Sequence, residues 1–301
     1  MAENKFPTEV VELPSKGHFY INGHPLSTGK VEIKYMTAKE EDILTSENLI
    51  RQGTVIDKLL ESLIVDKSIK VNDLLIGDKN AIMVATRILA YGKDYDFEFN
   101  GVEQKVDLSK LENKKIDYSD LPKGVNEFEF KLPNSKRVIK FKLPNGHDES
   151  VIAEEIKAMK KVNKNISTDL TTRFKKIILS VDGNSDLQFI NKFVDNEFLS
   201  VDSLAFRKYM STISPNINMN TKVKDENGEE IEVPQSYKRD LHEQIFQIIL
   251  HSKGGFTFDE VYNLPVYLRT FYLNRLNKHY QEEAKEIKKQ NQRLNSSFSR
   301  K

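Results

Sequence analysis

Apolar residues recur most regularly between residues 31 and 92, where their spacing predicts one strand, Val31–Tyr35, followed by three helices. The middle helix carries two adjacent rows of apolar side chains at intervals of four residues: Val55, Leu59 and Leu63, then Ile56, Leu60 and Ile64. Two such rows form a broad apolar face that must be buried. We therefore expect this stretch to form a helical core.

Capping residues mark the ends of these three helices. Thr37 lies three residues before Glu40, the spacing of a capping box, in which each side chain satisfies an unpaired backbone donor. Gly53 can end the first helix in a left-handed conformation, and Thr54 can cap the second. Asp78 is expected to cap the third helix. One side of that helix is expected to be lined by Ile82, Met83, Ala85, Thr86 and Leu89.

Alternating apolar and polar residues predict β-hairpins in three later stretches, residues 95–108, 128–143 and 217–233. Asn100-Gly101, a strong tight-turn dipeptide, would turn the first of them. The first two hairpins are expected to form one small antiparallel sheet, joined through residues 122–124. Period-two alternation implies that one face of each hairpin is covered and the other is solvated.

Helical spacing returns after residue 148. Ser167 is expected to cap a helix that extends through Ile178, and two shorter helices would follow it. Near the C-terminus, Thr257 and Glu260 form a second capping-box pair. Pro265 is placed to begin a final helix that is almost wholly polar beyond residue 279.

Together these elements predict a mostly helical α+β protein, with helical core modules, small antiparallel β-hairpins and a long C-terminal helix. Five segments are expected. They are an extended segment plus three-helix core (1–92), a β-hairpin module (93–146), a helical module (147–215), a β-hairpin (216–234) and C-terminal helices with a polar tail (235–301).

Composition narrows the function classes. The chain has 301 residues, and its 46 Lys and Arg against 45 Asp and Glu leave a formal charge of +1, so no global field favours nucleic acid or an anionic membrane. The sequence contains no Cys, which excludes disulfides, thiol nucleophiles and cysteine-ligated zinc. No apolar run approaches the roughly 18 residues that span a bilayer, and residues 1–10 do not resemble a signal peptide. We expect a soluble protein made and used in the cytoplasm.

Catalytic and ligand-binding motifs are missing from the sequence. It contains no G-x-S-x-G, no P-loop and no G-x-G-x-x-G. His18 and His24 suggest a metal, but no third or fourth ligand lies nearby in the sequence, and His242 and His251 fall on different helix faces. We therefore predict no catalytic residues, no cofactor, no metal site and no enzymatic activity.

One alternative is a nucleic-acid-binding module that uses the run Lys157–Lys164 and the basic C-terminus. A solvated helix face is the preferred interpretation of that run, because Glu149, Glu154 and Glu155 lie in the same helix. A hydrolytic enzyme with a site scattered across modules is a third alternative; it would need a pocket of convergent titratable groups.

Several blocks of the sequence resemble the baseplate protein family of T-even-like contractile-tailed phages. The similarity extends over roughly residues 10 to 215, and is carried by residues 13–17, 31–45, 53–60, 77–83, 127–133, 170–173 and 193–196. Residues 243–246, 254–257 and 264–266 are similar to the hub-subunit ending of such phages. Members of this family often carry a cysteine-bearing ribbon where this chain, lacking Cys, has a plain hairpin.

This resemblance implies a non-enzymatic structural component or assembly factor of the tail baseplate hub. Its partners would be other hub or tail proteins of the phage, without a small-molecule substrate or membrane insertion. Its location would be the virion tail baseplate, the host cytoplasm during assembly, or both.

Two candidate partner-binding sites follow. Packing alone does not explain which polar residues occur around Lys39 and Asp42. This polar edge is therefore expected to face a partner as well as cap a helix. Leu268, Phe271 and Tyr272 lie at the apolar start of the final helix, whose later part cannot bury a face by itself. Packing of these three residues against the helix around Leu241 is the equal alternative.

Overall fold

The computed structural model describes residues 7–99, 102–162, 168–220, 222–224, 230–232, 237–251, 255–264, 268–276 and 278–280. The chain divides into two compact units, Met1–Met219 and Asn220–Lys301. The five segments expected from the sequence are a finer division than these two units, and they remain a prediction.

The first unit begins with an antiparallel pair, β1 (Thr8–Glu12) and β2 (Lys30–Lys34). The loop between them folds back on itself, and its backbone comes into contact at Gly17 and Gly29. Both glycines adopt positive φ angles, 74° and 72°, and a Cβ atom on Gly17 would lie 2.4 Å from the carbonyl oxygen of Ser27. Only glycine fits so close an approach of two backbone segments.

Four helices, rather than the predicted three, follow β2: α1 (Ala38–Thr45), α2 (Glu47–Gln52), α3 (Val55–Leu63) and α4 (Ile76–Tyr91). The predicted first helix is interrupted at Ser46, whose extended backbone both ends α1 and precedes α2. Gly53 ends α2 with a φ angle of 76°, as predicted. The predicted apolar rows of α3 are confirmed at Leu59, Leu60 and Leu63, which are buried, whereas Val55 and Ile56 are half-buried and the buried Ile64 lies just beyond the helix.

Helix α4 corrects two predictions. It begins at Ile76, so Asp78 lies inside its first turn and is not its cap; the side chain of Asp78 is instead buried among residues of the loop between β1 and β2. Met83 is 36% exposed rather than part of a buried side. It shares a row of the helix with Arg87 and Tyr91, at intervals of four residues; Tyr91 is exposed and Arg87 is half-buried.

The hairpins are confirmed as β3 (Asp94–Phe99) with β4 (Val102–Asp107), β5 (Phe128–Lys131) with β6 (Val138–Phe141), and β8 (Lys222–Lys224) with β9 (Glu230–Glu232). The first two do not share a sheet, contrary to expectation. Instead β5 and β6 form a three-stranded sheet with β7 (Ile178–Val181), where the sequence predicted the end of a helix. Ile178 and Val181 are buried, which favours a strand paired with β6. The turn at Asn100-Gly101 and the cap Ser167 lie outside the described residues.

Four further helices complete the first unit: α5 (Gly146–Val162), α6 (Asp169–Ile177), α7 (Leu187–Asn196) and α8 (Ser200–Ile213). Aromatic side chains join α6 and α8 to the three-stranded sheet. The ring of Phe141 on β6 meets Phe206 on α8 edge to face at 4.8 Å, and Phe174 lies 5.7 Å from Phe206. These contacts belong to one continuous apolar core that includes residues from β1 to α8.

The second unit contains α9 (Tyr237–His251), α10 (Phe258–Asn263) and a helical segment at residues 268–276. Its core is small: Ile245, Ile248 and Val261 are fully buried. The capping box of Thr257 and Glu260 is confirmed at the start of α10. The predicted helix start at Pro265 and the polar stretch from residue 281 lie outside the described residues. The mostly helical α+β fold class is confirmed.

Candidate partner-binding surfaces

A buried carboxylate on α4 anchors the loop between β1 and β2. Asp78 accepts hydrogen bonds from the Ser15 backbone N–H (2.9 Å), the Ser15 hydroxyl (2.6 Å) and the Tyr20 hydroxyl (2.7 Å). The Tyr20 oxygen accepts in turn from the Leu75 N–H at 2.9 Å. Asp78 and Ser15 are both inaccessible to solvent. The network therefore ties residues about 60 positions apart to the start of one helix.

The electrostatics of this network are those of a structural anchor. Burial raises the pKa of Asp78 above its ordinary value, while hydrogen bonds from Ser15 and Tyr20 oppose that shift. Burial, followed by the nearby Asp78 carboxylate, raises the pKa of Tyr20 well above its usual value. The Ser15 hydroxyl donates to a carboxylate and has no exposed surface. This geometry holds the loop in place and offers no accessible nucleophile.

A second buried carboxylate, Glu40, positions α1. It accepts hydrogen bonds from Lys34 Nζ on β2 (2.8 Å), from the Thr37 N–H (2.9 Å) and from the Ser62 hydroxyl on α3 (2.6 Å). Burial alone would raise the pKa of Glu40, but hydrogen bonds from Lys34, Ser62 and Thr37 outweigh burial and lower this pKa strongly. Because this side of α1 faces the fold, the residues beside Glu40 point outward.

The predicted polar edge of α1 lies on that outward side. Lys39, Glu41 and Asp42 are exposed, and within the described part of the chain their side chains form no ion pair. Thr45 donates only to the backbone carbonyl oxygens of Glu41 and Asp42. Lys39 and Asp42 are therefore accessible, as a partner-binding role requires.

The other predicted site, at residues 268–276, is divided by the structure. Phe271 is 58% exposed. Tyr272 is half-buried; its ring lies 5.0 Å from that of Phe256, and it packs against the small core of the second unit. Leu268 is also half-buried. Of the three predicted residues, Phe271 alone presents most of its side chain to solvent.

Further exposed apolar residues in the second unit were missed from the sequence. Phe246 and Leu250 lie one turn apart on α9, and each is exposed by more than half. Phe258 and Tyr262 lie one turn apart on α10, and their rings stack at 5.6 Å. The i, i+4 spacing of both pairs is visible in the sequence, but the same spacing is also typical of a buried face.

A partly exposed row on α4 was missed for the same reason. The guanidinium of Arg87 lies 4.9 Å from the centre of the Tyr91 ring and 5.8 Å from that of Tyr95 on β3. Met83 continues this row. Arg, Tyr and Met are residue types that protein interfaces favour.

His18 and His24 each have a hydrogen-bond partner within the first unit. His18 Nε2 forms a hydrogen bond with the Leu121 carbonyl oxygen at 2.9 Å, and His24 Nδ1 accepts from the Leu26 N–H. No group of three metal-binding side chains occurs among the residues that the structure describes. In the same part of the chain, no helix has both the length and the hydropathy needed to cross a bilayer.

Of the basic run at 157–164, the side chains of Lys157 and Lys161 are described, and both are exposed. Those of Lys160 and Lys164 lie outside the described side chains. Exposure suits either a solvated face or a phosphate contact, so it leaves both interpretations of this run open.

Comparison with known proteins identifies the family. The family described as "T4 bacteriophage base plate protein" matches residues 6–238, which include the whole first unit apart from its first five residues. No curated protein and no solved structure matches the chain. Because the match extends over most of the sequence, the chain belongs to the T4 bacteriophage base plate protein family.

Proposed function

We propose that this baseplate protein is a non-enzymatic component or assembly factor of the tail baseplate hub, acting through protein–protein contacts. Its partners are other hub or tail proteins of the phage, and it acts in the tail baseplate or in the host cytoplasm during assembly. Family membership carries this proposal.

The residues that match the family and those that do not are proposed to have different roles in binding. The family match ends at residue 238, the second residue of α9. Beyond it, five large apolar side chains are exposed around a small core: Phe246, Leu250, Phe258, Tyr262 and Phe271. Exposed aromatic residues of this kind are typical of interface anchors. In this proposal, the second unit binds hub proteins of the same phage through contacts that other members of the family do not share.

The polar edge of α1 is the proposed contact within the family region. Lys39 and Asp42 flank the buried anchor Glu40, so α1 is held rigidly while its charged side remains available. A pre-positioned surface loses little conformational entropy on binding. Reversing the charges at Lys39 and Asp42 should impair hub assembly and leave thermal stability nearly unchanged.

Phage complementation tests the contact made by the second unit. Cells lacking the native gene product would supply the full chain carrying Phe246→Ser, Tyr262→Ser and Phe271→Ser, and mass spectrometry would count copies of this chain in purified tails and baseplate intermediates. We expect the variant to fold normally and to be lost from both. The matched control is Ile21→Ser, since Ile21 is 73% exposed in the first unit. Complete baseplates that contain the triple variant would contradict this part of the proposal.

A further inference from the structure

Helix α8 presents an apolar and basic face to solvent. Val201, Leu204 and Lys208 follow one another at i, i+3 and i+7, with Leu199 before them and Arg207 beside them. Leu199, Val201 and Leu204 are 49%, 60% and 46% exposed. These five residues are called the α8 face.

The orientation of this face is set by a buried carboxylate on the opposite side of the helix. Asp202 is inaccessible to solvent and accepts hydrogen bonds from the N–H groups of Asn134 (2.7 Å) and Ser135 (3.0 Å). Farther along the helix, Phe206 is fully buried in the aromatic core. With Asp202 and Phe206 turned inward, Val201 and Leu204 must point outward.

The cations of the α8 face differ from those of the elements packed around it. Arg137 pairs with Asp182 and Glu197, and Lys175 pairs with Asp195. Arg207 and Lys208 are exposed, and among the described residues neither lies within ion-pair distance of a carboxylate. Two adjacent cations beside three exposed aliphatic side chains are complementary to an acidic surface with an apolar residue.

On the polar edge of α1, two exposed carboxylates, Glu41 and Asp42, outnumber one exposed cation, Lys39, and α2 adds an exposed apolar residue. Glu41 and Asp42 are exposed carboxylates whose side chains have no ion-pair partner in the described part of the chain. Ile50, on α2, is 53% exposed. Glu41, Asp42 and Ile50 are called the α1–α2 edge.

We propose that two copies of this chain associate head to tail, with the α8 face of one copy bound to the α1–α2 edge of the next. Arg207 and Lys208 would pair with Glu41 and Asp42, and the aliphatic residues of α8 would cover Ile50. The contact joins two different surfaces, so an open chain of copies keeps one free α8 face at one end and one free α1–α2 edge at the other until a ring closes. The inference rests on the proposed function and extends it, because it adds a second copy of this chain, bound at the α1–α2 edge, to the partners proposed there.

Sedimentation velocity of the purified full-length chain tests this contact. The average mass should rise above that of the monomer with increasing concentration. Association should weaken between about 0.05 M and about 0.5 M NaCl, because exposed ion pairs are screened by salt. Arg207→Glu with Lys208→Glu, and separately Glu41→Lys with Asp42→Lys, should each weaken self-association at least about tenfold.

Mixing these two double variants gives the decisive result. Each variant alone carries two surfaces of the same sign, but the mixture supplies opposite charges at both kinds of contact. We therefore expect the mixture to associate although neither variant does so by itself. The matched control is Lys70→Glu with Lys131→Glu, two exposed cations outside both surfaces, which should associate like the unmodified chain.

Three results would overturn the inference: a wild-type chain that is monomeric at every concentration, equal loss of association in the control variant, or a mixture that stays monomeric. Circular dichroism spectra and melting temperatures would verify that each variant is folded. None of these results bears on hub incorporation, which is measured in tails, so failure here is distinguishable from failure of the proposed function.

Discussion

The two units of this chain stabilise their helices in different ways. In the first unit, buried carboxylates at Asp78, Glu40 and Asp202 each accept hydrogen bonds from distant segments, and one apolar core runs from β1 to α8. In the second unit, Ile245, Ile248 and Val261 are the fully buried apolar residues among those described. The large apolar side chains around them are exposed or only partly covered.

This difference indicates which unit serves as the scaffold. A buried carboxylate with several donors holds its segments in one geometry, because each lost hydrogen bond would strand a buried polar group. A small core with exposed aromatic residues gains most when a partner covers it. We therefore expect substitutions of the buried anchors in the first unit to change stability, and substitutions of exposed apolar residues in the second unit to change binding.

The largest expected effect is that of Asp78→Ala. This variant leaves the Ser15 N–H, the Ser15 hydroxyl and the Tyr20 hydroxyl in the core without their hydrogen-bond acceptor. We expect it to lower the free energy of unfolding by about 3–5 kcal/mol. Urea unfolding followed by circular dichroism measures this cost.

A matched control for that variant exists at the surface. Asp66 accepts from the Ser68 N–H at 2.9 Å and from the Ser68 hydroxyl at 2.6 Å, the distances at which Asp78 accepts from Ser15, but Asp66 is exposed. Asp66→Ala should cost less than about 1 kcal/mol, because water replaces the lost acceptor. Equal losses at Asp66 and Asp78 would show that burial does not determine the strength of the anchor.

Gly77→Ala should follow, with a loss of about 3 kcal/mol, the upper end of what overpacking usually costs. A Cβ atom at Gly77 would lie 1.7 Å from the Pro215 carbonyl oxygen, so α4 and the backbone at residue 215 would have to separate. Thermal unfolding measures the loss. Gly146→Ala is the milder comparison, since its Cβ would lie 3.0 Å from the Cα of Asn72; a larger loss there would contradict this packing argument.

Glu40→Gln should cost about 1.5–3 kcal/mol at neutral pH, because it replaces charge-assisted hydrogen bonds from Lys34, Thr37 and Ser62. The folded state lowers the pKa of Glu40, so this carboxylate stabilises the fold above its unfolded pKa, and the contribution is lost as the pH falls below about 4.5.

Asp78 has the opposite pH dependence in the same unit. Its pKa is raised in the folded state, so stability falls as the pH rises from about 3.9 through the folded pKa. Urea unfolding between about pH 3 and pH 7 should therefore show a shallower loss on acidification for Glu40→Gln than for the unmodified chain. Identical pH profiles for the two proteins would refute the role assigned to Glu40.

The smallest expected effect on stability is that of Phe271→Ser in the second unit. Because Phe271 is 58% exposed, the variant should change the free energy of unfolding by no more than about 0.5 kcal/mol. Ile248→Ala in the same unit removes a fully buried side chain and should cost about 2–5 kcal/mol. Differential scanning calorimetry of both variants compares them; similar losses would place Phe271 in the core.

Local patterns predicted much of the fold and part of the candidate surfaces. The capping box at Thr257–Glu260 and the hairpins β3–β4 and β5–β6 depend on residues close in sequence, and all are present. The exposed edge at Lys39 and Asp42 was also predictable, since charged side chains without a partner in the fold are mostly exposed. The proposal that this edge contacts a partner remains a prediction.

Tertiary structure decided the features that depend on distant partners. Residues 178–181 form a strand because β6, about 40 positions earlier, offers an edge to pair with, although the preceding residues have helical spacing. Met83 is exposed because the core covers a different side of α4. Asp78 has the sequence appearance of a cap, yet it accepts from Ser15, 63 positions away.

The sequence by itself therefore determined the family, the mostly helical α+β class and the local elements, because these depend on residue identity and on contacts between near neighbours. Only the tertiary structure decided which carboxylates are buried anchors, which apolar rows face solvent and where the third strand pairs. The sequence spacing of a buried helix face is the same as that of an exposed one. Likewise, an acidic residue that caps a helix cannot be distinguished in the sequence from one that accepts hydrogen bonds from a distant loop. What distinguishes them is the position of segments far away in the chain.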